Sequence, residues 1–98
     1  MNIVKNRQDN ELFVALEGRL DTASAPEFEA VIKNELGGVT KLVLDLVKLK
    51  YTSSAGLRTI LLAQKTMNKQ GEMVLKNVSE DVMDVFDMTG LADLLTIE

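Results

Sequence analysis

The chain has 98 residues, 46% of them hydrophobic and 27% charged, which is enough for one packed core and leaves no room for a second. It contains no Cys and no His, so disulfides, thiolate metal sites, Ser–His–Asp chemistry and the commonest zinc ligand are all excluded. Fifteen acidic against eleven basic residues leave a net charge of −4 and no basic stretch for a nucleic acid, and no apolar run is long enough for a membrane; the expected location is the cytoplasm.

In chain order, Ile3–Arg7 reads as a first strand and Gln8-Asp9-Asn10 as a turn. Glu11–Glu17 reads as the second strand of a hairpin. Leu12, Val14 and Leu16 lie on one of its faces, Phe13 and Ala15 on the other; two apolar faces predict a central strand. Gly18 ends it, and Asp21–Ser24 is a loop. Ser24 followed by Glu27 has the form of a capping box, with Pro26 in the first turn. The first helix then runs to about Leu36 with Ala25, Phe28, Val31, Ile32 and Leu36 on one stripe, and Gly37-Gly38 stops it. Lys41–Leu46 is a short apolar strand of the kind covered on both faces.

Val47–Tyr51 reads as connection, leading to Thr52-Ser53-Ser54 and a helix from Ala55 to about Lys69. Its apolar set is Leu57, Ile60, Leu61, Ala63 and Met67. Glu72–Lys76 is the fourth strand. The third helix follows Asn77–Ser79, with Val82, Val85, Phe86 and Thr89 at helical spacing. Gly90 suits a left-handed cap, and Leu94–Ile97 is expected as a last strand. The order β-β-α-β-α-β-α-β predicts an α/β fold: a small, mixed, mostly parallel sheet with an N-terminal hairpin and helices after strands 2, 3 and 4, in one domain spanning 1–98.

Loops leaving the carboxyl ends of parallel strands share one edge, where ligands and partners bind. Asp21–Ser24, Tyr51–Ser54 and Asn77–Ser79 are expected there, and the loops at Gly37, Gly71 and Gly90 at the opposite edge. Thr52-Ser53-Ser54-Ala55-Gly56 is the most unusual segment. Its hydroxyls stand where the first N–H groups of a helix lack partners. One reading is an ordinary N-cap, worth about 1 kcal/mol. The other is a phosphorylation site, because a helix start tolerates an added charge of about −1.5 to −2. Gly56, having no side chain, is expected to leave the hydroxyls open to an approaching enzyme.

Three segments at matching separations carry a resemblance: Gly18-Arg19-Leu20-Asp21, Tyr51-Thr52-Ser53-Ser54-Ala55-Gly56-Leu57-Arg58, and Phe86-Asp87-Met88-Thr89-Gly90-Leu91. Together they resemble the signature of STAS domains, specifically anti-anti-sigma factors, over essentially the whole chain. The resemblance implies a partner-switching cycle. Such proteins bind an anti-sigma factor that is also a serine kinase of the histidine-kinase-like ATPase class, and so free a sigma factor. The kinase phosphorylates a serine two residues before the motif glycine, here Ser54, which ends binding; a PP2C-type phosphatase resets it. The family's usual acidic residue is replaced by Ser53, although a Ser-Ser-Ala-Gly-Leu-Arg form also occurs. No cofactor and no metal are implied. Phosphorylation would carry the net charge from −4 to about −5.5 to −6.

The expected partner surface around Ser54 comprises Asp21, Thr22, Ser53, Ala55, Gly56 and Arg58. Asp21 should face Ser54, either positioning the hydroxyl or making a turn or cap. Arg58, one helical turn on, either pairs with the phosphate or is a solvated surface residue. Asp45 lacks the neighbouring carboxylates a metal would need, and Met67 and Met73 read as core filler. A rival reading is a STAS scaffold or transport-associated module that is never phosphorylated. An esterase with Ser54 as nucleophile has no His to activate it. A receiver phosphorylated on aspartate lacks the acidic pair after its first strand.

Overall fold

A computed structural model describes all residues, Met1–Glu98. Its strands are β1 (Asn2–Gln8), β2 (Glu11–Leu20), β3 (Lys41–Asp45), β4 (Leu49–Thr52) and β5 (Glu72–Lys76). Its helices are α1 (Ala25–Glu35), α2 (Ser54–Asn68) and α3 (Glu80–Met88), followed by a short 3-10 turn, Leu91–Leu94. The sheet runs β1-β2-β3-β5, with β4 also on β2. Only β1–β2 is antiparallel, so the mixed, mostly parallel sheet expected from the element order is what the chain forms.

Register explains which side chains meet. Leu12, Leu42 and Met73 form one row across β2, β3 and β5, and Val14, Leu44 and Leu75 the next; all six are buried. Each such side chain contributes roughly 1.5–3 kcal/mol by leaving water. The α1 stripe of Ala25, Phe28, Val31, Ile32 and Leu36 is wholly buried in the same core, with Ile60, Ala63 and Met67 of α2 and Val82 and Phe86 of α3. On the opposite face the row Phe13, Val43, Val74 is covered only in part: Phe13 and Val43 keep substantial exposure, so β3 is not sealed on both faces as its apolar run suggested.

Three boundaries differ from the sequence reading. Gly18 does not end β2: at φ +104° it opens a register shift, and the strand continues to Leu20. There β3 has already stopped, and β4, expected as connection, takes its place beside β2 by pairing Gly18, Arg19 and Leu20 with Leu49, Tyr51 and Thr52. Four residues with only Leu49 and Thr52 buried show no alternation to read. The second helix therefore follows the fourth strand and the third helix the fifth. Finally, Leu94–Ile97 is not a strand. Gly90 takes the left-handed conformation expected of it (φ 74°), the chain tightens into the 3-10 turn, and only Ile97 bridges to Leu75.

Candidate functional site

The shift at Gly18 gives the sheet a stepped edge. β3 and β5 end level with Ala15 of β2, at Asp45 and Lys76, whereas β4 ends level with Leu20. Five further residues of strand place Asp21 and Ser53 about 16 Å beyond that first step. The Asn77–Ser79 loop leaves β5 at the lower step. Asn77 Nδ2 donates to Asp45 Oδ1 at 3.1 Å, and Asp45 also accepts from Val47 N–H at 3.0 Å. Asp45 is thus a tie between loops. Ser79 caps α3, accepting from Val82 N–H at 3.3 Å.

At the upper step, Leu20 carbonyl accepts from Ser53 N–H at 2.9 Å, binding the start of α2 to the end of β2. Ser53 has extended backbone (φ −94°, ψ 177°), and its Oγ accepts from Gly56 N–H at 3.4 Å. Ser53 is therefore the N-cap. Ser54 is the first helical residue, exposed, and its hydroxyl makes no hydrogen bond. Of the two readings left open by the spacing, the N-cap falls on Ser53.

Gly56 is buried, facing the sheet. A Cβ there would lie 2.7 Å from Leu20 carbonyl oxygen and 2.8 Å from Leu20 Cγ, and against Thr52 Oγ1. Its missing side chain lets the first turn of α2 press against β2 and β4; it does not clear a path to the hydroxyls, as the sequence suggested.

Asp21 organises the neighbouring loop. Its Oδ1 accepts from Ala23 N–H at 3.1 Å, Ser24 N–H at 3.0 Å and Ser24 Oγ at 3.1 Å. Its carbonyl accepts from Ala25 N–H at 2.7 Å. The expected capping box at Ser24 is absent: Ser24 has helical backbone angles, and its single hydroxyl proton is shared between Arg19 carbonyl, at 2.7 Å, and Asp21 Oδ1. Asp21 ties down the start of α1 in its place. Ser24's backbone N–H and then its hydroxyl hold the Asp21 carboxyl below the usual carboxylate range, helped by Ala23 N–H and Arg19. No hydrogen bond joins Asp21 to Ser54, so of its two expected roles the loop-and-cap role is the one observed.

Between the first halves of α1 and α2 lies an open groove of about 380 Å³. Thr22, Ala25, Pro26 and Glu29 line one wall, and Ala55, Arg58, Thr59 and Leu62 the other. Thr22, Ala55 and Arg58 of the expected surface thus come together there, beside Ser54. Two residues not weighed from sequence flank this edge: the Arg19 guanidinium stacks 4.1 Å over the Tyr51 ring and lies 3.7 Å from Asp21 Oδ2. They are neighbours through β2–β4 pairing, so the signal was hidden with β4. No helix is long and apolar enough to cross a membrane.

Comparison with known proteins agrees with this architecture. A family model described as STAS domain matches residues 2–98. BtrV of Bordetella bronchiseptica, named as an anti-sigma factor antagonist, is 34% identical over 99% of this chain and 85% of its own length. The anti-sigma-B factor antagonist of Bacillus subtilis (strain 168) is 30% identical over 99% of this chain and 90% of its own. The solved structure of the Bacillus cell fate determinant SpoIIAA in the phosphorylated form superposes with a TM-score of 0.78 at 21% identity, covering 99% of this chain and 91% of that one.

Proposed function

The chain belongs to the STAS-domain family, among its anti-sigma factor antagonists, which are regulators and not enzymes; from that premise we propose that phosphorylation of Ser54 switches its hold on an anti-sigma factor. In this reading the unmodified chain, in the cytoplasm, presents the start of α2 and the α1–α2 groove to an anti-sigma factor that is itself a serine kinase. Binding occupies that protein and releases its sigma factor. The kinase then transfers the γ-phosphoryl group of ATP: Ser54 Oγ bonds to phosphorus, the bond to the β-phosphate oxygen breaks, and the hydroxyl proton passes to a base. The base belongs to the kinase, since this chain has no His and the Asp21 carboxylate is engaged in its own loop. A PP2C-type phosphatase restores the hydroxyl.

The observation that carries this reading is the division of labour at the start of α2. Ser53 takes the cap, so Ser54 is exposed with an unbonded hydroxyl and can be esterified without breaking a hydrogen bond of the fold. The family's usual acidic residue at position 53 fits the same geometry, because Asp and Ser are comparable N-caps. The added charge acts at the docking edge, where a loss of only about 2.8 kcal/mol weakens binding a hundredfold. The test is to incubate the chain and Ser54→Ala with the anti-sigma kinase of its own genome and ATP, locating phosphate by mass spectrometry. Parent chain modified at Ser54 and then released, with Ser54→Ala retained, is the expected result. Phosphate elsewhere, or release of both chains alike, would refute the switch.

A further inference from the structure

The chain has three arginines, and two of them are engaged. Arg7 donates to the carbonyls of Asp9, Glu35 and Gly37. Arg19 is held between Tyr51 and Asp21. Arg58 has no ion pair and no side-chain hydrogen bond; it is exposed on the wall of the α1–α2 groove, four residues after Ser54.

Side chains four apart on a helix stack on one face with Cβ atoms about 6 Å apart. Helical side chains also tilt toward the helix N-terminus, which puts the first turn of α2, and Ser54, within reach of Arg58. The ionisable neighbour on the adjoining loop, Asp21, is an anion whose Oδ1 already serves the start of α1, so it offers a phosphate nothing. We propose that Arg58 is the phosphate-holding residue of modified Ser54, its guanidinium leaving the groove to bond the new phosphate oxygens. The proposal rests on Ser54 being the modified residue. It makes the switch double. Phosphorylation adds a dianion at the start of α2 and also withdraws the groove's only arginine, leaving Glu29 as its remaining charged group. A guanidinium suits this task because its planar fork matches a phosphate and stays charged at every relevant pH.

The phosphate itself reports the contact. A nearby cation favours the dianion, so it lowers the second ionisation of phosphoserine, ordinarily near pH 6. The experiment is a 31P NMR titration of the full chain carrying phosphoserine at position 54, alone and combined with Arg58→Gln or Arg58→Lys. Phosphoserine is installed during synthesis, so the result does not depend on whether a kinase acts on Ser54 in the cell. The expected midpoint lies about half a pH unit lower with Arg58 than in Arg58→Gln, the scale of an exposed pair, and Arg58→Lys recovers part of the difference. The gap should narrow in 1 M salt. Coincident titrations of the parent and Arg58→Gln chains at low salt would overturn the proposal while leaving the phosphorylation switch itself standing.

Discussion

Ser53 and Ser54 differ by one peptide unit, and backbone angle decides what each hydroxyl does. In the extended conformation Ser53 turns its Oγ toward Gly56 N–H; one residue later the chain is helical and Ser54 points to solvent. Removing the cap should therefore cost stability and leave the Ser54 hydroxyl in place. Ser53→Ala is expected to lose about 0.5–1 kcal/mol, the lower part of the N-cap range because the bond is long, while Ser53→Asp keeps full stability in urea unfolding. An Ala variant as stable as the parent would mean that Ser53 is no cap. Asp21 supplies a pH signature. Its pKa is lowered in the folded chain, so its contribution is fully present above the ordinary aspartate value, about 3.9, and is lost as pH falls through the lower folded value. Asp21→Asn should therefore flatten the stability profile below about pH 4 relative to the parent. Parallel acid-unfolding curves would show that the Ser24 bonds do not distinguish the charged form. The sequence marked both residues as important, since hydroxyls and a carboxylate beside a helix start have few other uses. It left their roles open because cap, hydroxyl orientation and loop tie all use the same atoms.

Elements with strong periodicity were legible, and those made by their neighbours were not. The α1 stripe could be read at helical spacing and is buried throughout, because five apolar residues on one face have no other stable fate. β4 escaped because it exists through its pairing with β2 beyond the shift at Gly18, which no feature of Leu49–Thr52 announces. With β4 hidden, the stepped edge is hidden too. The same geometry explains Gly56. The sequence shows a glycine after the serines, but only the packing of α2 on Leu20 and Thr52 shows why a side chain is refused. Gly56→Ala gains helix propensity, yet its methyl group meets backbone oxygen at 2.7 Å. Overpacking of this kind costs about 1–3 kcal/mol, more than the roughly 1 kcal/mol gained in propensity. Net destabilisation in urea, with the first turn of α2 displaced, is the expected outcome; a stabilised Gly56→Ala chain would show that α2 can lift off the sheet freely.

Across the whole molecule, charge is unevenly spread. The last 22 residues contain six carboxylates and no Lys or Arg, while the first 76 carry eleven basic and nine acidic residues. The Ser54 edge thus belongs to the mildly positive part of the chain, and a phosphate there meets no concentration of like charge within its own sequence neighbourhood. It also meets the positive end of α2, where a negative group contributes about 0.3–1 kcal/mol. Phosphorylation should therefore weaken partner binding while holding the fold firm. For a chain of about this size, 1 kcal/mol corresponds to roughly 4–8 °C. Calorimetry of the phosphorylated chain, or of Ser54→Asp as a weaker surrogate, is expected to give a melting temperature about 1 to 8 °C above the parent's. Binding to the anti-sigma kinase, measured on the same samples, should fall by about a hundredfold or more for the phosphorylated chain. A drop in melting temperature alongside lost binding would mean that the phosphate works by loosening the start of α2 from Leu20. The switch would then be a local unfolding event, with the packing at Gly56 as its fulcrum in place of surface charge.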